Sequence, residues 1–449
     1  MTAGSGAEPV RADPAPQRED HKRVRRASIA GLAGSMIEYY DFGSYAFLVV
    51  FIGPLFFPED NSLISILATY GVFAVGYFAR PLGALFFGGF GDRRGRRAAL
   101  LVTVVGMGCA TAAMGVLPTH DSIGVAAPIL LVLLRLGQGF CAGGEQAGAA
   151  TLIAESGGGR RHGLFQAFAP AGATLGSATA PAVVGLTTAV LGTDAMAAWG
   201  WRIPLLLSVV LTVVVLVLRL RVQESEDFTA LAKTDRVARS PLRGTVKVHW
   251  RRILAVILLA LAVNAPGAVL LNYMNVFLIN TVQLPRTTVF WMSAVCIALG
   301  TSGYFLGGIL TDRFGATRVV VGGLAAVAAV IYPMFLLVQG GRPVGFIGVV
   351  YTVALICYSI ATTPVYAIAT RAFPTRFRYS GVAVGMNIGG ALGAGLAPLA
   401  AASLVASTGS PQSPALLVVG VALLGVTVAL AVSRSAALRG EQSSEAGRP

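Results

Sequence analysis

Twelve apolar runs, each roughly 20 residues or longer, leave this chain few ways to fold. They lie at about 27–57, 65–90, 98–118, 123–151, 163–191 and 202–221, then at 252–280, 288–310, 318–338, 344–369, 379–406 and 414–433. Hydrocarbon offers backbone N–H and C=O groups no water, so runs of this length cross a bilayer as helices that satisfy themselves. Composition agrees: 12% of residues are charged, against about a quarter in soluble domains. The expected fold class is an all-α membrane protein of twelve transmembrane helices. The net charge of +14 does not point to nucleic acid, because Lys and Arg gather in the tails and in the breaks after even-numbered spans. The opposite side holds only Arg202, Arg286 and Arg342. That asymmetry places both termini in the cytoplasm and the protein in the plasma membrane, with the lipid bilayer as its surroundings. Cys109, Cys141, Cys296 and Cys357 sit inside apolar runs without paired spacing, so neither a disulfide framework nor a metal site is expected.

The runs divide into two halves. Residues 1–24 read as a disordered cytoplasmic tail and 25–222 as a first six-helix half. Residues 223–250 form a polar cytoplasmic connector, 251–434 a second six-helix half and 435–449 a polar tail. The turn Gly88-Gly89-Phe90-Gly91-Asp92-Arg93-Arg94-Gly95-Arg96-Arg97, between spans 2 and 3, has a shorter copy at Gly308-Ile309-Leu310-Thr311-Asp312-Arg313-Phe314-Gly315. Both fit Gly-x-x-x-Asp-Arg-x-Gly, about half a chain apart, and chance does not explain two such copies in register. Span 5 carries Gly176-x-x-x-Ala180-Pro181, and span 11 carries Gly393-x-x-x-Ala397-Pro398 at nearly the same offset, which suggests a shared kink. Two like-oriented six-span halves fit a transporter with its site between them near mid-membrane. The turn itself reads as a gating latch of Gly88, Asp92, Arg93, Gly95 and Arg96, with Asp312 and Arg313 in the second copy. Asp92 can accept from the N-terminus of a neighbouring helix, and the arginines can pair with acids such as Glu145.

Charges inside spans cost about 2.5–3.5 kcal/mol each on insertion scales, so each needs a reason. Span 1 holds Glu38 and Asp41, span 2 Arg80, and span 4 Arg135 and, toward its cytoplasmic end, Glu145; the spans of the second half hold no such group near their centres. Buried ion pairs that only fix packing are one reading. The functional reading makes Asp41 the proton-coupling carboxyl, with Glu38 in reserve and Arg135 as its partner and the substrate's anchor. Arg80 and Gln138 join the substrate contacts. Protonating Asp41 would free Arg135 for a substrate carboxylate, coupling a proton to an anion. Asn272 and Asn275 in span 7, and Tyr358 and Tyr366 in span 10, can orient a small polar ligand or serve as interhelical hydrogen bonds. No phosphate-binding Gly-x-x-x-x-Gly-Lys-Ser/Thr loop is present, so nucleotide-driven transport is not expected.

The duplicated turn resembles the signature loop of the major facilitator superfamily. Ile37-Glu38-Tyr39-Tyr40-Asp41-Phe42, Arg80-Pro81-Leu82-Gly83, the stretch Arg135 to Glu145, Trp201-Arg202-Ile203-Pro204 and Glu224-x-x-x-Phe228 are similar to its metabolite:proton symporter family. The resemblance implies uptake of a small carboxylate or betaine-like zwitterion with a proton, no enzyme activity, and a cavity lined by spans 1, 4, 7 and 10. It leaves a proton-driven exporter as the alternative, and a non-transporting membrane sensor behind that. A monomer with no cofactor beyond the coupling proton is expected.

Overall fold

The computed structural model describes residues 14–59, 62–94, 96–156, 163–164, 167–220, 242–373 and 378–445, which are helical almost throughout and hold no strand. Eleven segments among them are long and apolar enough to cross a bilayer. The pair Thr193–Gly200 and Arg202–Val217, bent by 59°, makes a twelfth. Spans 1 to 6 are Pro14–Phe56, Ser62–Arg94, Arg96–Val116, Ala126–Ser156, Phe168–Leu191 and Arg202–Leu220. Span 7 runs through Leu242–Ala268, Val269–Tyr273 and Met274–Asn280, and span 8 through Arg286–Gly300 and Ser302–Phe314. Spans 9 and 10 are Ala316–Leu337 and Val344–Thr362, the latter continued by Val365–Arg371. Span 11 comprises Arg378–Gly390, Ala391–Gly395 and Leu396–Thr408, and span 12 is Ser413–Glu445. Exposed Leu82, Leu85 and Phe86 on span 2 and Val209, Val210, Val213 and Val214 on span 6 face outward. Such continuous apolar surface belongs against lipid.

Three polar segments differ from the sequence reading. Helix begins at Pro14, inside the stretch read as a disordered tail, and span 12 continues to Glu445, through most of the second tail. The last part of the connector, from Leu242, is already span 7. A formed transmembrane helix supplies the costly nucleus, after which each added residue gains a hydrogen bond, and proline is well suited to the first turn.

Glycines set the distances within each half. A Cβ on Gly172 or Gly176 of span 5 would stand 2.3 Å from the Leu32 carbonyl oxygen or 2.0 Å from that of Met36. In the second half, Gly389 and Gly393 of span 11 would meet the Ile257 and Leu261 oxygens of span 7 at 2.4 and 3.0 Å. Span 5 therefore lies directly on span 1, as span 11 lies on span 7. The expected shared kink is not shared. Span 5 is α-helical through Pro181, whereas span 11 widens into a π turn at Ala391–Gly395 just before Pro398. Pro398 has no N–H to return to the preceding turn, and the wider turn accommodates the carbonyl left over.

The halves meet along spans 5 and 8, and along spans 2 and 11. Thr174 donates to the Tyr304 hydroxyl at 2.9 Å across the first seam. A Cβ on Gly395 of span 11 would lie 2.9 Å from that of Tyr77 on span 2. The Tyr70 hydroxyl of span 2 also reaches the Asn272 carbonyl of span 7 at 3.1 Å.

Candidate transport site

The site is built on a backbone-to-backbone crossing of spans 2 and 4. A Cβ on Gly139 would fall 1.8 Å from the Gly76 oxygen, and one on Gly143 would fall 1.9 Å from the Arg80 oxygen. Only glycine permits this approach, and it brings Arg80 and Arg135 to the same level beside span 1. Phe42 of span 1 takes both guanidiniums, with Cζ of Arg80 at 4.1 Å and Cζ of Arg135 at 4.5 Å from its ring centroid. Tyr77 completes the surroundings of Arg80 at 4.3 Å. Tyr45 and Phe73 lie 4.3 and 5.0 Å from Arg135. Ring quadrupoles partly replace the water each cation has lost.

Four charged side chains are buried here: Glu38, Asp41, Arg80 and Arg135, none more than 5% exposed. Arg80 hydrogen-bonds Tyr39 and lies within Coulomb range of Glu38. Arg135 does not use the partner that the sequence suggested. Its Nη1 donates to Gln138 Oε1, and Gln138 Nε2 donates to Thr111 Oγ1 at 2.7 Å. Gln138 is one helical turn from Arg135 and fully buried, so proximity along span 4 outcompetes Asp41 on span 1. Among the described residues, Nε and Nη2 of Arg135 have no hydrogen-bond partner, and neither do Nε and Nη2 of Arg80.

The second half faces this cluster with neutral groups. Tyr366 is 48% exposed yet within Coulomb range of Glu38 and Arg80. It therefore borders an open space between the halves instead of lipid. Tyr358 is buried, lies within range of Tyr39 and passes its hydroxyl over Gly267, where a Cβ would stand only 2.3 Å away. Asn272 and Asn275, three residues apart, are separated by the end of the π turn Val269–Tyr273. Asn272 is half-buried, while Asn275 is 1% exposed and, among the described residues, neither of its amide atoms has a hydrogen-bond partner.

Asp312 accepts from the backbone N–H groups of Gly163 and Leu164, at 2.8 and 3.3 Å, where the chain enters span 5. This is the contact expected of the motif aspartate, made by the second copy across the two halves. Gly315 closes that copy at φ 86°, a conformation L side chains rarely adopt. Arg313 lies over Phe314. In the first copy Gly95, the surroundings of Gly88 and the side chains of Asp92, Arg93 and Arg96 lie outside the described residues, as does the side chain of Glu145. At the opposite end the halves touch through Phe51 and Phe290, with ring centroids 6.2 Å apart. Arg286 lies 5.0 Å over Phe51.

Sequence reasoning passed over Tyr45, Phe73, Tyr77 and Thr111. The spacing of Phe73, Tyr77 and Arg80 along one helical stripe was the available signal, but aromatic stripes in membrane helices usually pack only against neighbours. Nothing local marked Thr111, which comes from span 3.

The model for the Major Facilitator Superfamily matches residues 31–398. The chain is 36% identical over 433 residues to the ectoine/proline transporter ProP of Corynebacterium glutamicum, covering 90% of this chain and 84% of that one. It is 32% identical over 427 residues to a proline/betaine transporter of Salmonella typhimurium, at 93% and 85% coverage. The glycine betaine/proline/ectoine/pipecolic acid transporter OusA of Dickeya dadantii is 33% identical over 430 residues, at 93% and 85% coverage. Among solved structures, a partially occluded inward-open form of the xylose transporter XylE from E. coli superposes with a TM-score of 0.72. It covers 91% of this chain and 96% of that one at 13% identity. Twelve spans in two halves, a duplicated turn and a buried charged centre thus belong to a membrane transporter rather than an enzyme, and the chain is a member of the major facilitator superfamily.

Proposed function

We propose that the chain imports a small zwitterion of the betaine, proline or ectoine kind together with a proton, by alternating access. The observation that carries this is the Nε–Nη2 edge of Arg135, buried without a hydrogen-bond partner among the described residues, while Nη1 is engaged and Cζ lies among aromatic rings. A guanidinium edge matches a carboxylate in two parallel charge-assisted bonds. A buried cation with open donors is destabilising until an anion meets it. The names of the relatives favour a substrate that pairs a carboxylate with a cationic nitrogen.

Charge balance suggests how a proton enters. With Glu38 and Asp41 ionised, the cluster with Arg80 and Arg135 is neutral, and a zwitterion leaves it so. Protonating Asp41 makes the cluster one charge more positive, which strengthens its hold on a carboxylate and ties loading to the proton. Asp41 is the coupling carboxyl, Glu38 tunes Arg80, and Tyr358, Tyr366 and Asn275 orient the ligand from the second half. No cofactor besides the proton is required. The protein works as a monomer in the plasma membrane, with both termini and the motif turns on the cytoplasmic side. The two aspartate turns latch that side, each to a helix of the other half.

Uptake into proteoliposomes tests the reading, with labelled glycine betaine, proline, ectoine and a dicarboxylate under an imposed inward proton gradient. Accumulation of a zwitterion, abolished by a protonophore, is the expected result. Gradient-driven extrusion, or accumulation that follows sodium instead, would overturn it.

A further inference from the structure

We infer that Thr111, on a span behind the cavity, sets substrate affinity by fixing the orientation of Arg135 through Gln138. This rests on Arg135 as the carboxylate anchor. The three side chains form a buried line with one direction: Arg135 Nη1 to Gln138 Oε1, Gln138 Nε2 to Thr111 Oγ1, and Thr111 Oγ1 to the Met107 carbonyl at 2.9 Å. None of the three is exposed. The direction is forced. An arginine can only donate, so Gln138 must turn its oxygen to it, and its NH2 then needs an acceptor on the far side. Thr111 is that acceptor, and its single proton goes to the backbone of its own helix.

The consequence is positional. With Nη1 tied and the Phe42, Tyr45 and Phe73 ring centroids within 5.0 Å of Cζ, the guanidinium has little room to turn, so the Nε–Nη2 edge holds one aim. Without the hydroxyl, the Gln138 NH2 is buried with no acceptor, and the amide must shift or turn to find one at the expense of its oxygen's contact with Arg135. A flipped amide would set NH2 against a donor and push the guanidinium off its line. Gln138, counted by the sequence among the substrate contacts, is thus a positioning residue with its amide occupied at both ends. Thr111 is a positioning residue one step further back, acting on Arg135 through that amide.

Thr111→Val keeps the shape and removes the hydroxyl. In proteoliposome counterflow with glycine betaine, proline and ectoine, whichever of the three the parent exchanges, it should raise KM about five- to tenfold and leave the maximal rate within about twofold. Thr111→Ser should return KM to the parental value. In an Arg135→Lys background, which itself raises KM, Thr111→Val should add nothing, because a lysine ammonium takes no aim from Gln138. If Thr111→Val fails to fold, Gln138→Leu reads the same loss. Arg135→Lys raising KM while Thr111→Val or Gln138→Leu leaves it unchanged would overturn the relay alone. Arg135→Lys with parental KM would remove the anchor itself, and the relay with it.

Discussion

The two halves of this molecule share a skeleton and differ in what they put on it. In each, a pair of glycines lays the fifth helix on the first, at Gly172 and Gly176 in one half and Gly389 and Gly393 in the other. Each also carries the Gly-x-x-x-Asp-Arg-x-Gly turn. Yet the crossing of spans 2 and 4 holds Arg80 and Arg135 with Glu38 and Asp41 nearby, while the matching crossing of spans 8 and 10 holds Tyr304, Ser359 and Thr363. Duplication preserved the features that set backbone distance and let the buried chemistry diverge. A site between halves needs only one charged wall to grip a carboxylate; the other wall can be neutral and need only close.

The sharpest way to break this comparison is at the crossings themselves. Gly139→Ala drives a Cβ to 1.8 Å from backbone, whereas Gly303→Ala on span 8 meets the Ile356 oxygen at 2.6 Å. The first should lower stability by about 3 kcal/mol or more and the second by about 1–2 kcal/mol. Thermal unfolding of the solubilised proteins reads the difference, and equal losses would mean that the two crossings bear the same load.

Next in size is the contrast between charged and neutral walls. Arg135→Ala should weaken glycine betaine binding about 100-fold or more, because it removes the counter-charge. Tyr358→Phe, which removes one hydroxyl from the opposite wall, should cost about three- to tenfold. Equilibrium binding to purified protein measures both. A larger loss at Tyr358 would reverse the assignment of the walls.

How much of this could be read beforehand follows from physical range. Span lengths, the repeat and the four buried charges were legible because each obeys a local rule: hydrophobic length, motif register or the expense of charge in hydrocarbon. The Arg135 partner was not, because choosing between Asp41 and Gln138 needs the rotation of span 4 against span 1. Thr111 was invisible for the same reason, being a common residue on span 3 until its hydroxyl meets Gln138. The unequal proline sites of spans 5 and 11 share a sequence pattern and differ only in how the surrounding helices receive it.

Smaller effects concern the two ends. Asp312→Asn weakens the charge-assisted contact to Gly163 and Leu164, worth about 0.3–1 kcal/mol. It should slow turnover about two- to fivefold and leave substrate affinity unchanged in a flux assay; Asp92→Asn should match it if the copies share the latch equally. Smallest is Arg286→Gln at the far end, where the contact with Phe51 is worth about 0.5–1 kcal/mol. It should raise the rate at which a thiol reagent reaches a cysteine placed at the Phe290 level about two- to fourfold.

The central claim, that the charged wall of the first half carries the proton, is tested most directly by Asp41→Asn in one vesicle preparation assayed two ways. Counterflow reports binding and exchange; uptake under an imposed pH gradient reports coupling. The account predicts that Asp41→Asn keeps counterflow and loses uphill accumulation. Full uphill accumulation by Asp41→Asn would contradict it.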